Sequence, residues 1–244
     1  MHFSAATYNV HQWIGSDGRC DPFRAMELIR LMAADVTALQ EVVLSADEPS
    51  GLSGDRIARH TGCRLLHGPT FLRHDGHFGN VLLTPHRVVS FERVDLTVEG
   101  REPRGALDAR LEIRGRPVRV VATHLGLRAG ERRVQVSRLL EQISRKPQEP
   151  VLLMGDFNEW LPLSPSLRRL KRFFGKEKSP ATFPSRFPLF ALDRVWGRPT
   201  RMVARARAFK SPLSRLASDH LPLLAEISWP RSRALAKAAN RIPG

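Results

Sequence analysis

Cysteine is almost missing. The 244 residues contain two, Cys20 and Cys63, and neither stands in a C-x-x-C pair, which excludes a disulfide framework and a zinc ribbon. Long apolar runs are missing too: no uninterrupted stretch reaches the ~18 residues a spanning helix needs, so no transmembrane segment is expected. The opening Met1-His2-Phe3-Ser4 lacks a charged leader followed by a long apolar stretch, so no secretory signal is expected and the expected location is cytoplasmic. There is no internal repeat. Acid is in short supply, 24 Asp and Glu against 39 Lys and Arg, for a net charge of +15. That surplus suits polyanionic partners: nucleic acid, anionic lipid headgroups or phosphorylated small molecules. It also serves plain solubility, so charge alone does not choose a chemistry. Oligomeric state leaves no trace. What is present is a 42% hydrophobic content, enough for a real core, in a length that suits one large domain. Residues 1–230 are assigned to that domain and 231–244 to a basic C-terminal tail.

Strand-like and helix-like segments alternate without a linker. Phe3 to Val10 predicts a first strand. Asp21-Pro22 predicts an N-cap with proline at N1, opening a helix to about Ala33. Val36 to Val43 predicts a buried strand running into Gln40-Glu41. A short helix at Asp55 to His60 follows, then strands at Arg64 to His67, Gly79 to Thr84, Val88 to Val98, Ala106 to Ile113 and Val118 to His124. Val136, Leu139, Leu140 and Ile143 mark an amphipathic helix from Gly130 to Arg145, with arginines on its other face. Val151 to Met154, Leu192 to Trp196 and Leu223 to Ile227 complete the strands. Ser164 to Lys178 predicts a basic helix, and Ser179 to Pro188 an extended loop. Many strands broken by few helices predict an α+β layered sandwich.

Polar groupings close several of the apolar strands, where a rigid scaffold presents side chains to a cleft. They are Asn9-Val10-His11, Gln40-Glu41, Thr123-His124-Leu125, Gly155-Asp156-Phe157-Asn158, Leu192-Asp193-Arg194 and Ser218-Asp219-His220. Each has an ordinary reading alone: Asn9 as a turn residue, Glu41 as a solvated acid, His124 as a structural histidine, Asp156 as a cap. Several carboxylates at buried strand ends nevertheless invite a cation, because burying them unpaired is costly.

Taken in order, N-x-H, Q-E-V, T-H-L, G-D-F-N, L-D-R and S-D-H-x-P resemble the endonuclease/exonuclease/phosphatase superfamily over roughly Phe3 to Trp229. Gly79 to Leu83, Pro103 to Leu107 and Thr182-Phe183-Pro184 look like an uncharacterised bacterial branch of it. The resemblance implies a DNase I-like four-layered α/β sandwich, two mixed sheets packed face to face between helices. It implies a Mg²⁺ cofactor, with Mn²⁺ as a substitute, held principally by Glu41 with Asn9 and Asp219 close by. It implies Asp156 and Asn158 orienting the attacking water, His220 paired with Asp193, and His124 on a phosphate or leaving group. Whether Asp156 or His220 takes the proton is open at this level. His11 stands where some members carry an acid, and can meet metal, phosphate or neither.

These roles suit phosphoester hydrolysis, which needs charge relief on the non-bridging oxygens, an activated water and a stabilised leaving oxygen. The resemblance leaves the substrate to loops. Arg168, Arg169, Lys171 and Arg172 crowd one insertion beside Phe173 and Phe174, and with Asn80 and Arg104 they are candidate substrate contacts. The expected activity is a phosphodiesterase or nuclease acting on DNA or RNA. A sphingomyelinase-like phospholipid phosphodiesterase is the rival, with Leu167, Leu170, Phe173 and Phe174 exposed toward a bilayer. A catalytically weak polyanion-binding protein is a third reading, opposed by the survival of Glu41 and Asp219-His220.

Overall fold

The structure is a computed structural model that describes residues 2–45 and 52–229. In chain order the first half holds β1 (His2–Asn9), α1 (Pro22–Met32), β2 (Val36–Leu44), α2 (Gly54–Thr61), β3 (Arg64–Arg73), β4 (Gly76–Thr84), β5 (Arg87–Asp95) and β6 (Gly105–Ile113). The second half holds β7 (Arg116–His124), α3 (Ala129–Ser144), β8 (Val151–Asp156), α4 (Pro165–Phe174), β9 (Asp193–Arg198), β10 (Val203–Ala208), α5 (Pro212–Ala217) and β11 (Leu223–Ser228). The strands form two sheets, β10-β11-β1-β2-β4-β3 and β5-β6-β7-β8-β9. Both are mixed, since β1–β2 and β7–β8 pair parallel amid antiparallel neighbours.

Side-chain alternation explains the layering. In β1, Phe3 and Ala5 pack between the sheets with Ala38, Val120, Met154 and Val195. Ala6 and Tyr8 face the other way, onto Met26, Leu28 and Ile29 of α1. The outer face of the second sheet, through Val121, Leu153 and Trp196, packs on Val136, Leu139, Leu167 and Leu170 of α3 and α4. Helix, sheet, sheet, helix: the result is the DNase I-like four-layered sandwich. Sheets covered on both faces need apolar residues on both, which is why their strands read as near-continuous hydrophobic runs.

Local signals hold at the helix starts. The Asp21 carboxylate accepts from the Phe23 N–H with Pro22 at the first helical position, and the Ser164 hydroxyl accepts from the Leu167 N–H to open α4. Several features differ from the sequence expectation. The basic helix stops at Phe174, where Gly175 adopts a φ of +95° that favours glycine. Its Leu167, Leu170 and Phe174 are buried against the second sheet and α3, so they do not form the exposed bilayer-facing stripe expected of them. Arg132 on α3 is also buried, paired with Glu159 at 3.0 Å. Strand β10 and helix α5 were not anticipated, and the tail at 231–244 lies outside the described residues. No helix among the described residues is long and apolar enough to cross a membrane.

Candidate active site

One edge of the sandwich collects the polar strand ends. In the second sheet the register sets His124, Asp156 and Asp193 side by side across β7, β8 and β9. Parity then decides where they point. Asp156 follows Leu152 and Met154, His124 follows Val120 and Ala122, and Asp193 precedes Val195, all members of the core between the sheets. Asn9, on β1, follows Phe3 and Ala5 onto the same inner face. The site is therefore the polar end of the inter-sheet core, approached from both sheets at once.

Glu41 breaks this rule. Strict alternation would send it outward with Leu39, toward the helices. Instead β2 carries a register shift between Leu39 and Val42 against β4, and Glu41 takes a left-handed φ of 55°. A bulge of this kind re-aims one side chain, and here it brings Glu41 to Asn9. The neighbouring turn is strained in the same sense: His11, Gln12 and Trp13 have φ of 46°, 56° and 67°, and Asn158 has 51°. Left-handed non-glycine residues cost of order 1–3 kcal/mol each and cluster where a structure holds functional groups. Gly155 is required for a different reason. A Cβ there would collide with the Thr123 carbonyl oxygen on β7, so glycine alone lets β8 approach β7 just before Asp156.

Hydrogen bonds join these groups into one network. Asn9 Nδ2 donates to Glu41 Oε1 at 3.0 Å and to Asp156 Oδ2 at 3.1 Å, while its Oδ1 accepts from the His11 backbone N–H at 2.9 Å. Asp156 Oδ1 accepts from the Asn158 N–H at 2.8 Å. The ring of His220 donates from Nδ1 to Asp193 Oδ2 at 2.8 Å, and its Nε2 lies 3.7 Å from Asp156 Oδ2. On the other side of Asp156, His124 Nε2 lies at 3.6 Å and contacts Asn158 Nδ2 at 3.0 Å. Asp156 thus sits between two histidines. Asp219 reaches the group through Ser218, whose hydroxyl donates to the Asn9 carbonyl at 2.8 Å, and its Oδ1 is 3.7 Å from His11 Nδ1. Asp156, Asp193 and His220 bring ligand atoms within 4.8 Å of one another, a group able to hold a metal ion.

Electrostatics separates the titratable groups. Burial raises the Asp156 carboxyl to about 6, against the opposing pull of His220. Burial works against a charged His220, but Asp193, through charge and hydrogen bond, lifts it to about 10. Burial also depresses His124 well below the ordinary histidine range, and the Arg104 and His220 charges push it the same way. One histidine is held as an imidazolium and the other as a neutral ring.

All the residues expected at the chemistry are brought together: Asn9, Glu41, His124, Asp156, Asn158, Asp193, Asp219 and His220, with half-buried His11 at the edge. Asn9 differs in detail, since its oxygen faces backbone and its NH₂ group ties Glu41 to Asp156. The expected substrate contacts fare differently. Asn80 is buried and donates to the Gly105 carbonyl at 2.9 Å, tying the two sheets together. Arg104 is buried and donates to His124 Nδ1 at 2.8 Å. On α4, Arg169 donates to Ser137 and Lys171 to the Pro162 carbonyl, while Arg168 and Arg172 are exposed; among the described residues these four form no bond to a site residue. Sequence reasoning missed two supports. Thr182 donates to Asp193 at 2.6 Å, and the Phe183 ring packs on His220 with centroids 4.8 Å apart. Both fall in the Thr-Phe-Pro segment, which is the signal that marks them.

A four-layered sandwich with carboxylates, amides and histidines gathered at one edge defines a DNase I-like protein. The chain belongs to the endonuclease/exonuclease/phosphatase family, which residues 8–220 match. It is 32% identical over 246 aligned residues to the uncharacterised protein YbhP of Escherichia coli strain K12, covering 92% of this chain and 96% of that one. Among solved structures, an endonuclease/exonuclease/phosphatase from Beutenbergia cavernae superposes with a TM-score of 0.73 at 24% identity, covering 93% of this chain and 71% of the other. The human nocturnin catalytic domain with a bound sulfate anion superposes at 0.70 with 19% identity, covering 93% of each chain.

Proposed function

We propose that this protein is a Mg²⁺-dependent phosphodiesterase, with nucleic acid as its favoured substrate. The observation that carries the reading is Asp156 held between an imidazolium and a neutral imidazole at 3.7 and 3.6 Å, beside the carboxylates of Glu41 and Asp219. His220 already supplies positive charge to Asp193, so half-buried Glu41 and Asp219 are the donors left for a cation. Among the described residues neither has a Lys or Arg partner; Glu41 is bonded to Asn9 and Asp219 lies near His11. Half-buried carboxylate oxygens of that type fit a hard divalent ion. Bound there, Mg²⁺ would neutralise charge on the phosphate oxygens.

The chain's own groups divide the remaining work. Asp156, deprotonated above about 6, is placed to take the proton of an attacking water, and Asn158 to fix that water or a phosphate oxygen. The His220 imidazolium stabilises the developing phosphorane charge, and Asp193 keeps it protonated. His124 offers a neutral donor to a phosphate or leaving oxygen. Survival of the whole set favours catalysis over polyanion binding alone. The test is turnover of bis-p-nitrophenyl phosphate: hydrolysis with Mg²⁺ or Mn²⁺ and its loss in EDTA are expected. Turnover indifferent to EDTA, or none on any phosphodiester, would falsify the proposal.

One observation favours a second reading, a phospholipid phosphodiesterase. Leu161, Leu163, Phe187 and Leu189 are 71–77% exposed, on two loops that flank the site. The loops are joined through Trp160, which packs against Phe183 and Phe190. Exposed Arg186 directly precedes Phe187 on one of these loops, and exposed Arg128 lies between β7 and α3. Apolar tips beside arginines suit an anionic bilayer better than a phosphate backbone. Leu163→Asp combined with Phe187→Asp is expected to abolish sedimentation with phosphatidylserine vesicles on this reading, with plasmid nicking unaffected. Equal sedimentation of variant and parent would remove it.

A further inference from the structure

We propose that Arg104 is a positioning residue that fixes the tautomer of His124, leaving the Nδ1 lone pair on the arginine and directing Nε2–H at Asp156 and the reacting phosphate. The argument is one of donors and acceptors. A guanidinium carries only donors and stays charged in proteins. Its Nη1 lies 2.8 Å from His124 Nδ1, so Nδ1 must accept. A neutral imidazole that accepts at one nitrogen carries its proton on the other. That nitrogen, Nε2, lies 3.6 Å from Asp156 Oδ2. Nε2 also faces the Asn158 Nδ2 at 3.0 Å, which donates to the Leu125 carbonyl at 2.9 Å. Of the two donors on the ring, the guanidinium has no acceptor to turn toward it, whereas an amide exchanges nitrogen for oxygen by rotation. Arg104 therefore decides the tautomer, and Asn158 turns its oxygen to Nε2–H at the expense of the Leu125 bond.

The arginine is built to stay where it is. It is buried, and its Nη2 pairs with Glu102 at 2.9 Å. Its backbone N–H donates to Thr97 Oγ1 at 3.3 Å and its carbonyl accepts from the Leu96 N–H at 2.9 Å. The next residue, Gly105, has its carbonyl held by both Asn80 and Thr123. Its bonds to His124 and Glu102 engage the guanidinium within the protein, where its sequence position suggested a substrate contact. The two site histidines therefore have opposite charges behind equivalent atoms: Asp193 accepts from His220 Nδ1, and Arg104 donates to His124 Nδ1. Environments that push paired groups apart are how one site keeps a charged and a neutral form together.

The tautomer rests on the Arg104 contact and the donor-only chemistry of a guanidinium; its effect on turnover rests on the phosphodiesterase reading, and two measurements separate them. In long-range ¹H–¹⁵N spectra of histidine-labelled protein, with His124→Gln for assignment, Nδ1 of His124 is expected bare and Nε2 protonated from pH 6 to 8. A cationic ring, or a proton on Nδ1, overturns the proposal whatever the activity. Arg104→Met is expected to mix the tautomers and lower kcat on bis-p-nitrophenyl phosphate about ten- to hundredfold, the range for loss of an orienting partner. Arg104→Lys, which keeps a charged donor, is expected to restore the Nε2–H signature and most of kcat. If Arg104→Met does not fold, the parent and lysine spectra still decide. A raised KM with unchanged tautomer would return Arg104 to substrate binding and overturn the positioning role.

Discussion

Replacing His220 with alanine is expected to lower kcat on bis-p-nitrophenyl phosphate by roughly 10³–10⁴-fold, the scale on which a histidine of a charge-paired catalytic group acts. The loss falls on kcat more than on KM, because the imidazolium acts most strongly on charge that appears in the transition state. Stability suffers too. Asp193 is fully buried, its Oδ1 has no partner among the described residues, and only Thr182 would remain on Oδ2. Stranding a buried charge in this way costs about 3–5 kcal/mol, so the alanine variant is checked by thermal unfolding, and Asp193→Asn provides the cleaner comparison. The folded pKa of His220, about 10, lies above its ordinary value. Its charged form therefore stabilises the fold fully below about 6.5, and that contribution is lost as pH rises through about 10. Asp156 must lose its proton near 6 to act as a base. The parent pH profile of kcat/KM is expected to rise through about 6 and fall through about 10. Asp193→Asn brings the alkaline limb down toward the ordinary histidine range. An unmoved limb would mean that His220 is not the group reporting it.

Glu41→Gln removes one charge without removing the hydrogen-bond acceptor that Asn9 uses. Metal-supported turnover is expected to fall by about 10²–10³-fold, which several kcal/mol of lost charge stabilisation implies. Binding of Mn²⁺, followed by the broadening of its electron spin resonance, weakens in parallel. Because Glu41 is half-exposed and, among the described residues, its side chain bonds only to Asn9, the melting temperature should hardly change. Normal Mn²⁺ binding by the variant would move the cation elsewhere, with Asp156 the first alternative.

The class of fold and the membership of the site were legible because both depend on order along the chain. Buried strands announced themselves as apolar runs, and each ended in a polar group that an ordinary strand end has no need of. What the sequence could not display was relative placement. The helical period of Leu167 and Leu170 was plain, but whether that face meets lipid or α3 depends on a neighbour folded from a distant segment. Arg104 and Asn80 were visible as members of recurring segments, while their partners, His124 and the Gly105 carbonyl, follow from strand register. The bulge at Glu41 has no local marker such as glycine. Strand β10, Val-Ala-Arg-Ala-Arg-Ala, is a short edge strand whose alternation is broken by an irregularity between Val203 and Arg205, and its arginines read as loop.

Asn9 comes from one sheet and Asp156 from the other, and a single 3.1 Å hydrogen bond spans them. The catalytic groups are thus jaws mounted on separate plates, and the apolar filling between the plates sets the jaw opening. A change of volume at Ala38, Val120 or Met154 in that filling is expected to change the gauge of the jaws, and turnover would then report how well the two sheets are closed.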